Sequence, residues 1–279
     1  MDNIQDHIFM GHDGTNMDRN IEFYFSKYFD WVFMNNKIIK KKPIPTTCYI
    51  KLDFLNKYIN DILNIPNEFI LVSGCSDYSP IIHFNESYKK IIKLPNLKKW
   101  YCENNLSNNP KVYSLTVGLA THTITQENNI LHIRNNISTK KDKIFSCYRM
   151  RTNNVCGEQY NERIKCMKFI ENNKNYIDSY DTLEYNTFLT KISQYKWCIC
   201  PLGNGLDHAP KLIECLLLKT IPICKKNPNS FNLYNKYPIL WIDNFDTILT
   251  DLEYDSNINW DIIMDEFTHK YIYNKIIDN

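Results

Sequence analysis

Two glycines separated by one residue, followed by a cation and a carboxylate, are the part of the sequence best suited to chemistry. The stretch Cys200–Cys224 reads CPLGNGLDHAPKLIECLLLKTIPIC. Gly203 and Gly205 could let the backbone take positive φ and come close to a ligand, so that the turn exposes its N–H groups. Because the positive end of a helix dipole would point the same way, a turn of this kind before a helix attracts anions. The spacing therefore predicts an anion site.

Lys211 and Glu214 lie near the start of the helix predicted after this turn. Asp207 is the predicted N-cap, and the helix is predicted to begin near His208. Lys211 would add a positive charge for a phosphate, and Glu214 would accept hydrogen bonds from a pair of sugar hydroxyls. This order indicates a pocket for a nucleoside diphosphate. The alternative is a helix packed on a sheet through an ordinary glycine turn, which is a common arrangement.

Strands and helices alternate around these residues. Apolar runs predict strands at residues 195–199 and 221–223, with the helix of Lys211 and Glu214 between them. In the first half of the chain, residues 47–51 and 69–72 are predicted strands, with a helix over 53–63 between them. Such βαβ units favour an α/β fold with parallel sheets.

The chain divides near its middle. Residues 124–143 are polar and show no sustained apolar period, so they are interpreted as a linker. The predicted domains are 1–142 and 143–279, each large enough for its own core. A final amphipathic helix is predicted over 260–276, and it could pack back on the first domain.

Asp77 is the candidate general base. It follows the apolar strand 69–72 within a run of small and polar residues, SGCSDYSP. Open α/β sheets place ligands at the carboxyl ends of their strands, so Asp77 is in a position to deprotonate an acceptor hydroxyl. The alternative is an Asp that forms a turn with Ser79 and Pro80.

The central stretch resembles the donor-binding segment of exostosin-like glycosyltransferases of the two-domain GT-B type. The resemblance is specific over about 30 residues. Lys211 stands where that family usually has Arg, which keeps the charge but loses the bidentate fork. Cys215 replaces Ala, and one residue is inserted between Asp207 and Lys211. The shared positions are Pro201, Gly203, Asn204, Gly205, Asp207, Glu214, Leu216 and residues 221–223.

The resemblance implies two Rossmann-like domains facing a cleft, with 1–142 on the acceptor side and 143–279 on the nucleotide-sugar side. It also implies further residues around the donor. The segment of Asp77 is similar to one that carries an Asp in these proteins. Arg149 or Arg151 would reach the pyrophosphate, and Arg163 stands where similar proteins have an Arg. His122 follows a strand and would contact donor or acceptor. The alternatives are a solvated helix face for Arg163 and a surface or packing role for His122.

The predicted function is transfer of a sugar from a nucleotide diphosphate sugar to a hydroxyl of a glycan or other acceptor, with inversion. No metal and no cofactor beyond the nucleotide sugar is expected, and the sequence contains no Asp-x-Asp. The alternative is a catalytically inactive nucleotide- or glycan-binding module with the same fold. Phosphoryl transfer is disfavoured because the turn lacks the Gly-Lys-Ser/Thr ending of a P-loop.

Charge and composition exclude other classes. The formal net charge of +2 provides no broad basic surface, so nucleic acid is not an expected partner. No run of 18 apolar residues occurs, and the polar start MDNIQDHIFMGHDG does not resemble a secretion signal, so a soluble cytoplasmic protein is expected. Ten cysteines are present; Cys198 and Cys200 alternate along a strand and lack the CxxC spacing of zinc sites.

Overall fold

The structure is a computed structural model that describes residues 25–119, 127–150, 155, 157, 159–245 and 252–278. These residues form two α/β domains, each built on one sheet with its own hydrophobic core. Loops that follow strands of the first sheet are hydrogen-bonded to a loop that follows a strand of the second. The predicted α/β class with two Rossmann-like domains is confirmed.

The first domain has a six-stranded sheet of order β2-β1-β3-β4-β5-β6. β1 and β2 pair antiparallel, and the other pairs are parallel. Its strands are β1 (Trp31–Phe33), β2 (Ile38–Lys40), β3 (Thr47–Lys51), β4 (Phe69–Gly74), β5 (Leu97–Cys102) and β6 (Val112–Ser114). Its helices are α1 (Ile59–Leu63), α2 (Pro80–His83) and α3 (Asn85–Ile91).

The second domain has a five-stranded parallel sheet of order β11-β10-β9-β7-β8. Its strands are β7 (Lys141–Cys147), β8 (Ile177–Tyr180), β9 (Tyr195–Ile199), β10 (Ile221–Lys225) and β11 (Leu240–Ile242). The helices from here to the end are α4 (Glu127–Asn135), α5 (Gln159–Asn172), α6 (Tyr185–Ser193), α7 (Lys211–Leu217), α8 (Pro228–Tyr234), α9 (Trp260–Glu266) and α10 (His269–Asp278). The predicted strand, helix and strand around the glycine turn are therefore present as β9, α7 and β10.

Two predicted helices differ from the structure. The helix expected over 53–63 is reduced to a 3-10 turn, Leu52–Phe54, followed by the short α1. The single helix expected over 260–276 is two helices, because the chain leaves the helical path at Phe267 and Thr268. In the second of these two helices, α10, the side chains of Ile272 and Ile276 pack into a core cluster of the first domain.

The segment interpreted as a linker contains α4. Its Ile130 is fully buried in the core of the second domain. Arg134 is also buried, and its guanidinium donates hydrogen bonds to the carbonyls of Leu217 and Trp260 and pairs with Asp261. Tertiary contacts thus stabilise a helix whose sequence is too polar to show an apolar period. The domain boundary at residue 142 stays a prediction.

No helix among residues 25–119, 127–150 and 159–278, as far as these are described, is both long and apolar enough to cross a membrane.

Candidate functional site

The glycine turn follows β9, and side chains of α5 form hydrogen bonds with its backbone. Gln159 donates from Nε2 to the carbonyl oxygens of Asn204 and Gly205, at 3.0 and 3.2 Å. Glu162 accepts the backbone N–H of Leu202 at 3.0 Å. Burial raises the pKa of Glu162, and the Leu202 N–H opposes that shift. These contacts fix the turn before any ligand arrives.

Gly205 is required by a close contact with the first domain. A Cβ at this position would lie 2.3 Å from Oδ1 of Asn104, whereas a Cβ on Gly203 would meet nothing nearer than a backbone oxygen at 4.0 Å. Neither glycine has a positive φ, so that part of the prediction is wrong. The glycine at 205 instead provides room for another side chain.

Asp207 is not the N-cap of α7. The helix begins at Lys211, and Pro210 occupies the N-cap position without a side-chain hydrogen bond. Asp207 lies three residues earlier, where its Oδ1 accepts the N–H of Ala209 at 3.0 Å. The predicted cap and the predicted helix start near His208 are therefore wrong, because residues 207–210 form an irregular segment and a turn before the helix.

The buried carboxylate of Asp207 connects separate parts of the chain. Its Oδ2 accepts the N–H of Val117 at 3.0 Å and the hydroxyl of Tyr234 at 2.7 Å. Burial raises the pKa of Asp207, and the hydrogen bonds it accepts oppose that shift. Asp207 thus holds the segment after β6 against α8. A contact with a donor stays a prediction.

A pocket of about 500 Å³ lies beside the turn, between the end of β7, α6 and the start of α7. Its volume is within the usual range for small-molecule sites. The predicted site residues that line it are Arg149, Arg163, Gly203, Lys211 and Glu214. The fold therefore brings together residues predicted from the spacing of the glycine turn and helix (Gly203, Lys211 and Glu214) and residues predicted from the resemblance (Arg149 and Arg163).

Lys211 presents its ammonium group at the wall of this pocket. Its Nζ donates to the carbonyl oxygen of Cys147, the last residue of β7. The same Nζ lies 5.6 Å from the ring centroid of Tyr148 and 5.5 Å from that of Phe188, within cation–π range. These contacts within the protein fix the position of the Lys211 ammonium group.

Glu214 is 3% exposed and lies one turn further along α7. The hydroxyl of Tyr185 donates to its Oε1 at 2.8 Å. Tyr185 also lines the pocket, so the pair forms one polar part of the wall. Sequence reasoning did not identify Tyr185, because α6 and α7 are separate elements and only the fold shows that these residues meet.

Arg163 is buried and belongs to the support of the site. Its guanidinium donates from Nε and Nη2 to the carbonyl of Leu202, at 2.8 and 2.6 Å, and from Nη1 to the carbonyl of Arg149. The alternative of a solvated helix face is wrong for this residue. Arg149 itself is exposed and lines the pocket. Arg151 and His122 lie outside the described residues.

Asp77 lies in the exposed loop after β4, and its Oδ2 accepts a hydrogen bond from Nδ2 of Asn204 at 2.9 Å. The candidate base from the first domain therefore contacts the middle residue of the glycine turn in the second. The two residues are 127 positions apart in the chain.

Within the part of the chain that the structure describes, three cysteines lie close enough together to hold a metal ion. The sulfur atoms of Cys198, Cys200 and Cys215 lie within 4.8 Å of one another. Burial raises the pKa of all three thiols, which favours their protonated form. Cys200 Sγ donates to the carbonyl of Cys198 at 3.5 Å, as expected of a packed thiol.

No protein-family model and no curated protein matches the chain. Among solved structures, a chain described as an OtsA apo structure aligns at 7% identity with a TM-score of 0.40. The alignment covers 83% of this chain and 69% of that chain. A similarity of this size concerns the fold alone, and the exostosin-like resemblance stays a prediction. Fold and pocket define a two-domain α/β protein with a candidate anion-binding site beside the domain junction.

Proposed function

We propose that the protein transfers a sugar from a nucleoside diphosphate sugar to a hydroxyl acceptor. The observation that carries the proposal is the contact between Asp77 and Asn204. It brings a carboxylate of one domain to the glycine turn of the other, beside a pocket lined by cationic and acidic groups. A transferase needs this combination, because the acceptor must be activated next to the bound donor.

The donor is proposed to occupy the 500 Å³ pocket. Lys211 and Arg149 line it and would attract the pyrophosphate. Glu214, oriented by Tyr185, would accept hydrogen bonds from hydroxyls of the ribose or the sugar. Lys211 provides a point charge rather than a bidentate fork, so the contact with phosphate would be electrostatic rather than geometrically specific.

The proposed reaction is a single displacement. Asp77 takes the proton of the acceptor hydroxyl, and the oxygen forms a bond with the anomeric carbon as the bond to the pyrophosphate breaks. The electron pair leaves with the nucleoside diphosphate, and Lys211 and Arg149 stabilise the negative charge that develops there. Attack opposite the leaving group inverts the anomeric carbon. An exostosin-like subtype follows from the sequence resemblance.

A second candidate is a nucleotide- or glycan-binding module without catalysis. This candidate is favoured because two cationic side chains already donate hydrogen bonds to carbonyl groups of the protein. Lys211 donates to the carbonyl of Cys147, and Arg163 donates to the carbonyls of Leu202 and Arg149. A pocket arranged in this way could bind a nucleotide without assisting its departure.

A panel of nucleotide sugars distinguishes the two. Ligands that bind the native state raise the melting temperature by mass action, so a thermal-shift screen identifies the donor. Release of nucleoside diphosphate is then measured with and without hydroxyl acceptors. Turnover supports the transferase, binding without turnover supports the module, and the absence of any thermal shift at millimolar ligand contradicts both.

A further inference from the structure

Asn104 lies two residues beyond the end of β5, at the point where the two domains meet. Its side chain is 1% exposed, and its backbone has a φ of 50°. That left-handed conformation is tolerated by Asn and Asp better than by other residues with a side chain. A buried carboxamide must satisfy both donors and the acceptor within the protein.

The carboxamide bonds to both halves of the candidate site. On the side of the first domain, Nδ2 donates to the carbonyl oxygens of Ser76 and Tyr78, at 2.8 and 3.3 Å. These are the residues immediately before and after Asp77. The loop that carries the candidate base is thus held on both sides of it by one amide group.

On the side of the second domain, Oδ1 of Asn104 accepts the backbone N–H of Leu206 at 2.7 Å. The same oxygen occupies the space where a Cβ of Gly205 would lie. The glycine turn is therefore in direct contact with the amide group that holds the loop of Asp77.

We infer that Asn104 is a positioning residue that sets the separation of Asp77 from the glycine turn. The inference deepens the proposed transfer reaction and rests on it. A carboxamide suits this position because one planar group provides two N–H donors, for Ser76 and Tyr78, and an oxygen that accepts from Leu206. Displacement of a reacting group by about 1 Å costs on the order of 100-fold in rate, so a loosened junction impairs transfer more than donor binding.

The test compares Asn104→Asp with Asn105→Asp. Aspartate at 104 tolerates the backbone conformation and keeps an acceptor for Leu206, but it loses both donors and places a negative charge near the carbonyl of Ser76. Asn105 is the matched control, because its side chain bonds to Ser107 and Ser114 within the first domain. We expect Asn104→Asp to lower kcat for transfer about 100-fold. The donor Kd should stay within about 3-fold, and Asn105→Asp should change neither value.

A double-mutant cycle separates positioning from a structural role. If Asn104 acts through Asp77, Asn104→Asp adds no further loss of kcat in an Asp77→Asn background. Additive losses, or a kcat of Asn104→Asp close to that of the wild type, would overturn the inference. So would a fall in melting temperature together with equal losses in kcat and donor affinity.

Amide hydrogen exchange keeps the inference testable without turnover. Asn104→Asp should increase exchange in residues 76–78 and in residues 203–207 together, whereas Asn105→Asp should increase neither. If the wild type lacks transfer but Asn104→Asp shows this joint increase, the proposed function is contradicted and the coupling stands. An increase confined to one segment overturns the coupling whatever the activity.

Discussion

Nδ2 of Asn204 donates a hydrogen bond to Oδ2 of Asp77 at 2.9 Å, and this bond joins the glycine turn of one domain to a strand-end loop of the other. Both residues were candidates for separate reasons, one as part of a phosphate-binding turn and the other as a base. Their contact would place the proposed acceptor activation beside the proposed donor site, which is the geometry that group transfer requires.

Asp77→Asn is expected to lower kcat for transfer about 10²- to 10⁴-fold, to a residual but measurable rate, while leaving donor binding unchanged. Asparagine keeps an oxygen that accepts from Asn204 but does not take a proton, and a general base contributes about 10² to 10⁴ in rate. Release of nucleoside diphosphate in the presence of acceptor and calorimetric donor affinity are the measurements. Asp61→Asn, on an exposed position of α1, is the control. Wild-type turnover in Asp77→Asn would remove Asp77 from the mechanism.

Glu214→Ala is expected to remove measurable donor affinity, because it deletes the carboxylate proposed to accept the sugar hydroxyls. Tyr185→Phe removes only the hydroxyl that donates to Oε1 of Glu214, so an intermediate loss of about 3- to 10-fold is expected, the size of one ordinary hydrogen bond. Isothermal titration with nucleoside diphosphates gives both values, and circular dichroism checks the fold. Unchanged nucleotide affinity in a folded Glu214→Ala variant would exclude this residue from the site.

The secondary structure near the glycine turn could be predicted because its signals are local. Continuous apolar runs identified β9 and β10, and the apolar stripe identified α7. The helix α4 was missed, since its burial depends on Ile130 packing against a core formed mostly by later parts of the chain. The same holds for the break at Phe267, which separates two helices that share one apolar pattern.

The residues of the site that are close together in the chain could be predicted from their order and chemistry. Lys211, Glu214 and Gly203 share the pocket because they lie on one turn and one helix. The predicted N-cap role of Asp207 is wrong, since its carboxylate instead bonds to Val117 and Tyr234, which come from distant segments. Contacts of this kind carry no local sequence signal.

Gly205→Ala is expected to destabilise the protein, whereas Gly203→Ala is not. The new Cβ at 205 would lie 2.3 Å from Oδ1 of Asn104, and at 203 it would meet only a backbone oxygen at 4.0 Å. Overpacking of this kind costs about 1–3 kcal/mol, and an accommodated surface change costs less than about 0.5 kcal/mol. Urea unfolding monitored by tryptophan fluorescence provides the comparison. Equal stabilities of the two variants would show that the contact with Asn104 is not rigid.

Acid sensitivity should come in part from two buried histidines. Burial lowers the pKa of both His208 and His269 to about 3, so both are neutral in the folded protein at neutral pH. An unfolded histidine has a pKa of about 6.5, so between pH 6.5 and 3 the unfolded state binds more protons. The free energy of unfolding should therefore fall as the pH is lowered through this window. Each histidine contributes up to about 1.4 kcal/mol per pH unit.

His269→Phe tests this directly. Neither ring nitrogen of His269 has a hydrogen-bond partner among the described residues, and the ring packs beside Phe25 and Tyr28. Phenylalanine fills the same apolar site without a group that protonates on unfolding. We expect a smaller loss of stability between pH 6.5 and 4 than in the wild type, measured by urea unfolding at each pH. His132→Asn, at an exposed position of α4, should keep the wild-type slope, and a wild-type slope in His269→Phe would contradict the assignment.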